Sequence, residues 1–358
     1  MKVDFYISSL SGGGAENVLL TIAKAFAQSG DNSVSVVSLE KRPQFYEADP
    51  KITVKKIDNT KSGRIGEMLK DFSAVSKNMK QRKADVIISF LSRCNLLVLL
   101  CSLFTGQKVI VCDRNNPLKE HSRKVFYLSC LVYMRADKIV VQTNQIKDFY
   151  PRFLQKKIVV IENPIDTEKL SMQAQGNIRR EKRVISIGRL EAQKDFVTLI
   201  KAMASVHKNN PEWKLDIFGK GDDKEKLQEL IDSLDAQEYI TLCGRTAQPY
   251  LELKKSSIFV LSSFYEGFPN VLCEAMFAED ACISTDCVSG PRELIESGAN
   301  GMLVSIGEEA EMAQALEDLM QDEPLRQKLG EEAGKTVKRL YLDKIIEKWK
   351  VLVDSILK

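Results

Sequence analysis

Short runs of β-branched and apolar residues alternate along the chain with segments whose apolar positions recur at helical spacing. Val3–Ser8, Ser33–Ser38, Val86–Phe90, Lys108–Cys112, Lys138–Gln142 and Ile158–Glu162 read as strands. Gly14–Gln28, Gly66–Arg82 and Lys119–Met134 read as helices between them. Strands spaced by helix-length segments cannot pair as hairpins, so the order predicts a parallel, doubly wound sheet. The rhythm breaks at Asn163-Pro164-Ile165-Asp166 and resumes with Arg183–Gly188, Lys214–Gly219, Ile240–Cys243, Ile258–Leu261 and Ala281–Thr285. Two α/β domains are therefore expected, 1–166 and 167–339. Asn163–Lys182 is the linker, and a last helix within 340–358 can pack back on either domain. The longest apolar run, Leu96–Phe104, falls short of the ~20 residues of a membrane span and predicts a buried helix. Met1–Ile7 carries an acid and leads into glycines, which fits a first strand and not a secretory signal.

Composition narrows this picture. A chain of 358 residues exceeds one ordinary domain, and 44% hydrophobic with 28% charged residues describes a soluble globular protein. The eight cysteines sit mainly in apolar runs with no Cys-x-x-Cys pair, which suits buried thiols in a reducing, cytoplasmic compartment. Two histidines leave little for metal chemistry. Net charge is only +3, but residues 1–166 hold 26 Lys and Arg against 16 Asp and Glu, and the remainder 26 against 33. The first half thus carries +10 and the second −7, so the first half suits an anionic partner.

Three motifs carry candidate chemistry. Ser11-Gly12-Gly13-Gly14-Ala15-Glu16 follows the first strand. Its backbone, free of Cβ atoms, can approach a phosphate at a helix start carrying about half a positive charge. Neither the dinucleotide glycine pattern nor the Walker pattern is present, and a tight turn that merely needs glycine is the other reading. Gly188-Arg189-Leu190, with Lys194 beyond it, places two cations at a strand's carboxyl end, where open α/β sheets bind ligands. Fork and point charge together suit a diphosphate, and surface ion pairs with Glu191 or Asp195 are the alternative. Ser262–Phe277 is mostly apolar or small yet keeps Glu266 and Glu274. Pro269 and Asn270 read as a first helical turn, which puts Glu266 in a loop and Glu274 in the helix. Eight helical residues rise ~12 Å, beyond the ~5–9.5 Å between glycosidase carboxylates, so the two acids suit different roles. Glu274 fits a sugar diol and Glu266 a reaction centre.

Gly13-Gly14-Ala15-Glu16, Gly188-Arg189-Leu190 with Lys194, Gly244-Arg245, Glu266 through Glu274, and Ser289-Gly290-Pro291-Arg292-Glu293-Leu294-Ile295 with Gly298 and Gly301 follow one another in a set order. In this the sequence resembles, over nearly its whole length, the retaining glycosyltransferases of family 4. Within them it is most similar to bacterial enzymes that extend polyprenyl-diphosphate-linked oligosaccharides, especially α-1,4-N-acetylgalactosaminyltransferases. The resemblance implies the GT-B arrangement, two Rossmann-like domains facing a central cleft, with the final helix, within 340–358, crossing back to the first. It implies a catalytic group of Glu266, Arg189 and Lys194, with the two cations on the nucleotide diphosphate and Glu266 toward the donor sugar. Arg245 would lie by the base and Glu274 on the ribose hydroxyls. Gly13, Gly14 and the backbone of Gly267, Phe268, Pro269, Asn270 and Val271 would complete the donor site. No metal or cofactor is implied, because cations and helix termini neutralise the leaving diphosphate. Retention would follow from front-face attack, with a donor phosphate oxygen helping to deprotonate the acceptor. Asp113, Arg114, Asn115 and Asn116 would face the acceptor, with Arg114 where many relatives have histidine.

A basic segment between Lys61 and Lys83 belongs to the same picture. Met68, Phe72, Val75 and Met79 recur at helical spacing and can bury one face, leaving Lys70, Lys77 and Lys80 on another. In the similar enzymes a basic helix here engages the acceptor diphosphate, and a solvated helix face is the other reading. The function expected is transfer of a hexose or N-acetylhexosamine, N-acetylgalactosamine first, from a UDP-sugar to an undecaprenyl-diphosphate-linked oligosaccharide. The place expected is the cytoplasm, peripheral at an anionic membrane surface, with no nucleic-acid partner. Rivals are a capsule or exopolysaccharide galactosyl- or glucosyltransferase, a non-hydrolysing UDP-sugar epimerase and an inactive sugar-nucleotide-binding module.

Overall fold

The computed structural model describes residues 1–40, 46–57, 64–114, 117, 122–176 and 178–358, with backbone alone over 64–68. It divides into two compact units, 1–164 with 342–358, and 165–341. In chain order the first unit contains β1 (Lys2–Ile7), α1 (Gly14–Gln28), β2 (Ser33–Ser38), β3 (Ile52–Lys56), α2 (Arg64–Arg82), β4 (Val86–Phe90) and α3 (Ser92–Thr105). It continues with β5 (Lys108–Cys112), α4 (Arg123–Tyr133), β6 (Lys138–Val141), α5 (Asn144–Asp148) and β7 (Ile158–Val160). Its sheet is parallel throughout, in the order β3-β2-β1-β4-β5-β6-β7.

The second unit opens with α6 (Thr167–Gln173), inside the stretch read from sequence as linker, then β8 (Arg183–Ile187), α7 (Phe196–His207), β9 (Lys214–Phe218), α8 (Lys224–Ser233) and β10 (Ile240–Gly244). There follow α9 (Pro249–Lys255), β11 (Ile258–Leu261), α10 (Asn270–Phe277), β12 (Ala281–Thr285), α11 (Pro291–Leu294), β13 (Met302–Val304), α12 (Glu309–Gln321) and α13 (Glu323–Thr336). The parallel sheet runs β10-β9-β8-β11-β12-β13. After Tyr341 the chain returns to the first unit as α14 (Leu342–Leu357).

Each sheet is covered on both faces, which explains strands that are apolar at nearly every position. In the first unit Phe5 points into a core completed by Phe26 of α1 and Trp349 of α14, while its neighbour Tyr6 joins Val75, Val98 and Cys130 on the opposite face. In the second, Val184 and Val260 pack with α7 and α12, and Ile185 and Phe259 with α10 and α13. The basic helix α2 buries Val75 and Met79 and exposes Lys70, Lys77 and Lys80, whereas Met68 and the segment before Arg64 lie outside the described side chains. Arg82 bonds Asp4 on β1 at 3.0 Å and so serves the fold.

Two expectations need correction. The helix read as Lys119–Met134 begins at Arg123, where Ser122 caps it, and residues 118–121 lie outside the described set. The run Leu96–Phe104 forms α3 but only one side is buried: Leu100, Leu103 and Phe104 are exposed, because the helix lies in the outer layer with its other face on the sheet.

Candidate active site

In the second unit the strand order reverses between β8 and β11, the position at which open α/β sheets leave a ligand crevice at their carboxyl ends. The segments leaving these adjacent strands carry the candidate residues. After β8 come Gly188, Arg189 and a short 3₁₀ turn, Ala192–Lys194; after β11 come Ser262 through Pro269. The two segments are stitched together. Phe264 N–H donates to the Gln193 carbonyl at 2.9 Å, Gln193 Nε2 to the Tyr265 carbonyl at 2.8 Å, and Ser262 Oγ to the Lys194 carbonyl at 2.7 Å. Two glycines permit close approaches here. A Cβ on Gly219 would fall 1.8 Å from the Gly188 carbonyl, and one on Gly290 would fall 2.5 Å from Pro269 Cδ at a φ of +96°.

The stitching brings Lys194 and Glu266 together, with Nζ to Oε1 at 2.6 Å and both side chains largely buried. Ser263 Oγ donates to the same oxygen at 2.6 Å, and Ser289 Oγ to the Glu266 carbonyl at 2.6 Å. Ser263 and Ser289 were missing from the sequence reading, although Ser263 lies three residues before Glu266 and Ser289 within a quoted motif. Asp195 turns away and caps α7 through Thr198, so Lys194 does not pair with it. Arg189 does take the surface partner, Glu191, at 3.0 Å, and stays two-thirds exposed. Arg245 is exposed just past β10, at the same carboxyl edge of the sheet but two strands from β8.

The Glu266 loop leads into α10, and Glu274 lies inside that helix. The amides of Gly267, Phe268 and Val271 donate to no oxygen among the described residues. Of the other two positions, Pro269 has no N–H, and Asn270 N–H donates to the Phe268 carbonyl at 3.0 Å. The Glu274 carboxylate accepts no hydrogen bond among the described residues. Burial pushes it up to about 7, against the pull of Lys169 on α6.

In the first unit the glycine motif caps α1 internally. Glu16, buried, accepts from Gly13 N–H at 3.2 Å, from Gly12 N–H and from Ser9 Oγ at 2.8 Å. Bare amides were expected here; the Gly13 donor is instead taken by a carboxylate, and Gly14, exposed, opens the helix. Asp113, expected to face the acceptor, has its side chain buried in the unit. Its oxygens are held by Asn95 at 2.9 Å, by Tyr133 at 2.8 Å and by Tyr150, all from inside the unit. Arg114 is likewise buried, over the Phe90 ring at 4.2 Å and bonded through Nη1 to Asn163, and burial lowers its pKa. Its Nε and Nη2 have no partner among the described residues. Asn115 and Asn116 lie outside the described set.

Two parallel Rossmann-like units, with a reversed strand order carrying cations and carboxylates at its carboxyl edge, define the class of GT-B glycosyltransferases. Comparison with known proteins gives the family. A model described as "Glycosyl transferases group 1" matches residues 168–336, and one described as "Glycosyltransferase Family 4" matches residues 12–169. The chain belongs to the glycosyltransferases of family 4. It is 28% identical, over 99% of both chains, to the GalNAc-α-(1→4)-GalNAc-α-(1→3)-diNAcBac-PP-undecaprenol α-1,4-N-acetyl-D-galactosaminyltransferase of Campylobacter jejuni. It is also 28% identical, over 91% of this chain and 92% of the relative, to that organism's N-acetylgalactosamine-N,N'-diacetylbacillosaminyl-diphospho-undecaprenol 4-α-N-acetylgalactosaminyltransferase. Among solved structures, HepE of Anabaena in complex with UDP superposes with a TM-score of 0.84 at 18% identity, covering 99% of this chain and all of the other.

Proposed function

We propose that this glycosyltransferase moves N-acetylgalactosamine, with retention and in α-1,4 linkage, from UDP-N-acetylgalactosamine to a polyprenyl-diphosphate-linked oligosaccharide. The observation that carries the reading is the cluster at the ends of β8 and β11: Arg189, the Lys194–Glu266 pair, three free amides in the loop and the first turn of α10, and a Glu274 carboxylate that accepts no hydrogen bond among the described residues. The two Campylobacter relatives, alike over nearly their whole length, favour that donor and a lipid-linked acceptor.

The residues divide the work by charge. As the bond to the sugar lengthens, negative charge grows on the leaving diphosphate, and Arg189, Lys194 and the free amides meet it. Transfer of Lys194 from Glu266 toward phosphate frees the Glu266 carboxylate to face the donor sugar. Glu274 takes the ribose hydroxyls, supplying the hydrogen bonds its own surroundings lack.

Product analysis tests the proposal. The enzyme is incubated with UDP-N-acetylgalactosamine, UDP-N-acetylglucosamine, UDP-galactose or UDP-glucose, each with and without a polyprenyl-linked saccharide. Transfer of N-acetylgalactosamine with an α-anomeric product is expected. An isomerised donor identifies an epimerase, binding without turnover an inactive module, and preference for UDP-galactose or UDP-glucose a different donor site. Because the cluster supplies its own cations, a chelator is expected to leave the rate within about twofold. A loss restored by Mg²⁺ or Mn²⁺ would contradict a metal-free mechanism.

The lysines of α2 give a second test. Replacing Lys70, Lys77 and Lys80 with Glu is expected to raise KM for lipid-linked acceptor about tenfold or more at low salt, with less effect at high salt. Hydrolysis of the donor by water should not change. An unaltered acceptor KM assigns these lysines to a solvated helix face.

A further inference from the structure

From Leu96 to Phe104, with Ser102 the one polar residue, helix α3 is apolar on its exposed side as well as its buried one, a composition that belongs in a core or against lipid. Its inner side, with Cys94, Val98 and Leu99, lies on the sheet. Its outer side presents Leu100, Leu103 and Phe104 to solvent, with Phe104 68% exposed. The adjoining helix α4 repeats the arrangement: Phe126, Cys130 and Tyr133 face inward, and Tyr127, Leu128 and Leu131 face out. The helices touch, since Asn95 bonds the Tyr133 hydroxyl and Arg135, just past α4, bonds the Ser102 carbonyl at 3.3 Å. Of the eighteen large apolar side chains exposed among the described residues, eight lie on α3, on α4 or at Met134, the residue that caps α4. Exposed apolar side chains gathered in this way on two adjoining helices mark an interaction surface.

The charges say what kind of partner fits. Neither helix contains an acidic residue. Arg123 and Lys124 open α4, where the helix dipole disfavours cations, and make no ion pair among the described residues. They border a groove of about 480 Å³ whose other walls are Tyr127, Leu128, Leu131 and Phe153. A second copy of this chain would bring the same unpaired cations to the same face with no acid to meet them. A leaflet with anionic headgroups above acyl chains answers both features. No helix among the described residues is long and apolar enough to cross a membrane, so contact lies in the interfacial plane.

We propose that the α3–α4 surface seats the protein on an anionic leaflet, with Leu103, Phe104, Leu128 and Leu131 at the acyl boundary and Arg123 and Lys124 on lipid phosphates. This deepens the lipid-linked acceptor reading and rests on it in choosing a membrane over a protein partner. It depends on different residues from the α2 lysines.

Flotation of the full chain with vesicles of phosphatidylglycerol and phosphatidylethanolamine tests it without any acceptor. Binding is expected at about 0.1 M salt and, because part of it is apolar insertion, in reduced amount at about 0.5 M. The variant Leu103→Gln/Phe104→Gln/Leu128→Gln should lose roughly 100-fold in partition coefficient, with an unchanged melting temperature because all three sites are exposed. Arg123→Gln/Lys124→Gln should lose about tenfold at the lower salt only. Wild-type binding retained by the apolar variant, or no vesicle binding by wild type, overturns the proposal. A wild-type dimer that the apolar variant dissociates does so too, in favour of self-association. Should vesicles bind as expected while no polyprenyl-linked saccharide is glycosylated, the acceptor reading fails and the docking surface stands.

Discussion

Arg189→Ala is expected to lower kcat/KM by about 2–4 kcal/mol, roughly 30- to 1,000-fold, with the fold unchanged. Arg189 is two-thirds exposed and its one ion pair, with Glu191, is of the surface kind worth about 0–1 kcal/mol. Its removal should leave the melting temperature where it was, so any kinetic loss belongs to the site. Lys194 is different. It is largely buried against Glu266, so Lys194→Ala strands a carboxylate beside Ser263 and should lower the melting temperature as well as turnover. Adding Glu266→Gln to that variant removes the stranded charge; stability should return and activity should not. Kinetics and thermal melts on the three proteins decide the matter. Near-normal kcat/KM in Arg189→Ala would remove that residue from the site, and recovered activity in the double variant would reduce Lys194 to a structural counterion.

Why these contacts were hidden while their neighbourhood was visible follows from sequence distance. The central strands show in the sequence because helices on both faces require apolar residues at nearly every position, as in Val86–Phe90 and Ile258–Leu261. Two strands escaped notice, β3 and β13, both at sheet edges. In β3 only Ile52 is fully buried and two lysines follow Val54, so half of the strand signal is lost to solvent. The places of Glu266 in a loop and Glu274 in a helix could be read locally, from Pro269 and Asn270. The Lys194–Glu266 pair could not: its partners are 72 residues apart and meet only because β8 and β11 are neighbours. The surroundings of Asp113 were hidden for the same reason. The residue sits in a polar loop sequence, but Asn95 of α3, Tyr133 of α4 and Tyr150 just past α5 reach it and make it part of the interior. The capping role of Glu16 was legible, since an acid three residues after the first helix boundary is a capping pattern, yet the glycines drew attention to phosphate.

Glu274→Gln is expected to weaken UDP-sugar binding by about 10- to 100-fold, the scale of hydrogen bonds to a charged group, while making the protein more stable above neutral pH. The two effects share one cause. The carboxylate accepts no hydrogen bond among the described residues, and burial, against the pull of Lys169, holds its pKa at about 7. Because that lies above the ordinary value of 4.5, the folded state keeps a proton that the unfolded chain releases between those pH values. Stability therefore falls as pH rises through that window, and the glutamine variant does not incur the fall. Its melting temperature should match wild type near pH 4.5 and exceed it by about 2–4 °C at pH 8. Binding runs the opposite way. An ionised Glu274 is the better acceptor for ribose hydroxyls, so wild-type affinity for UDP-sugar should rise with pH through about 7 and the variant should show a flat profile. UDP-sugar is the right probe, since its phosphates do not titrate there. Glu266, already paired with Lys194, should behave otherwise: Glu266→Gln should spare UDP affinity and lower turnover. Calorimetric titration of UDP into both variants separates the roles, because equal losses would contradict the assignment of Glu274 to the ribose and Glu266 to the sugar. A Glu274→Gln protein no more stable than wild type at pH 8 would show that the carboxylate has a partner in solution, and the argument that it awaits a ligand would go with it.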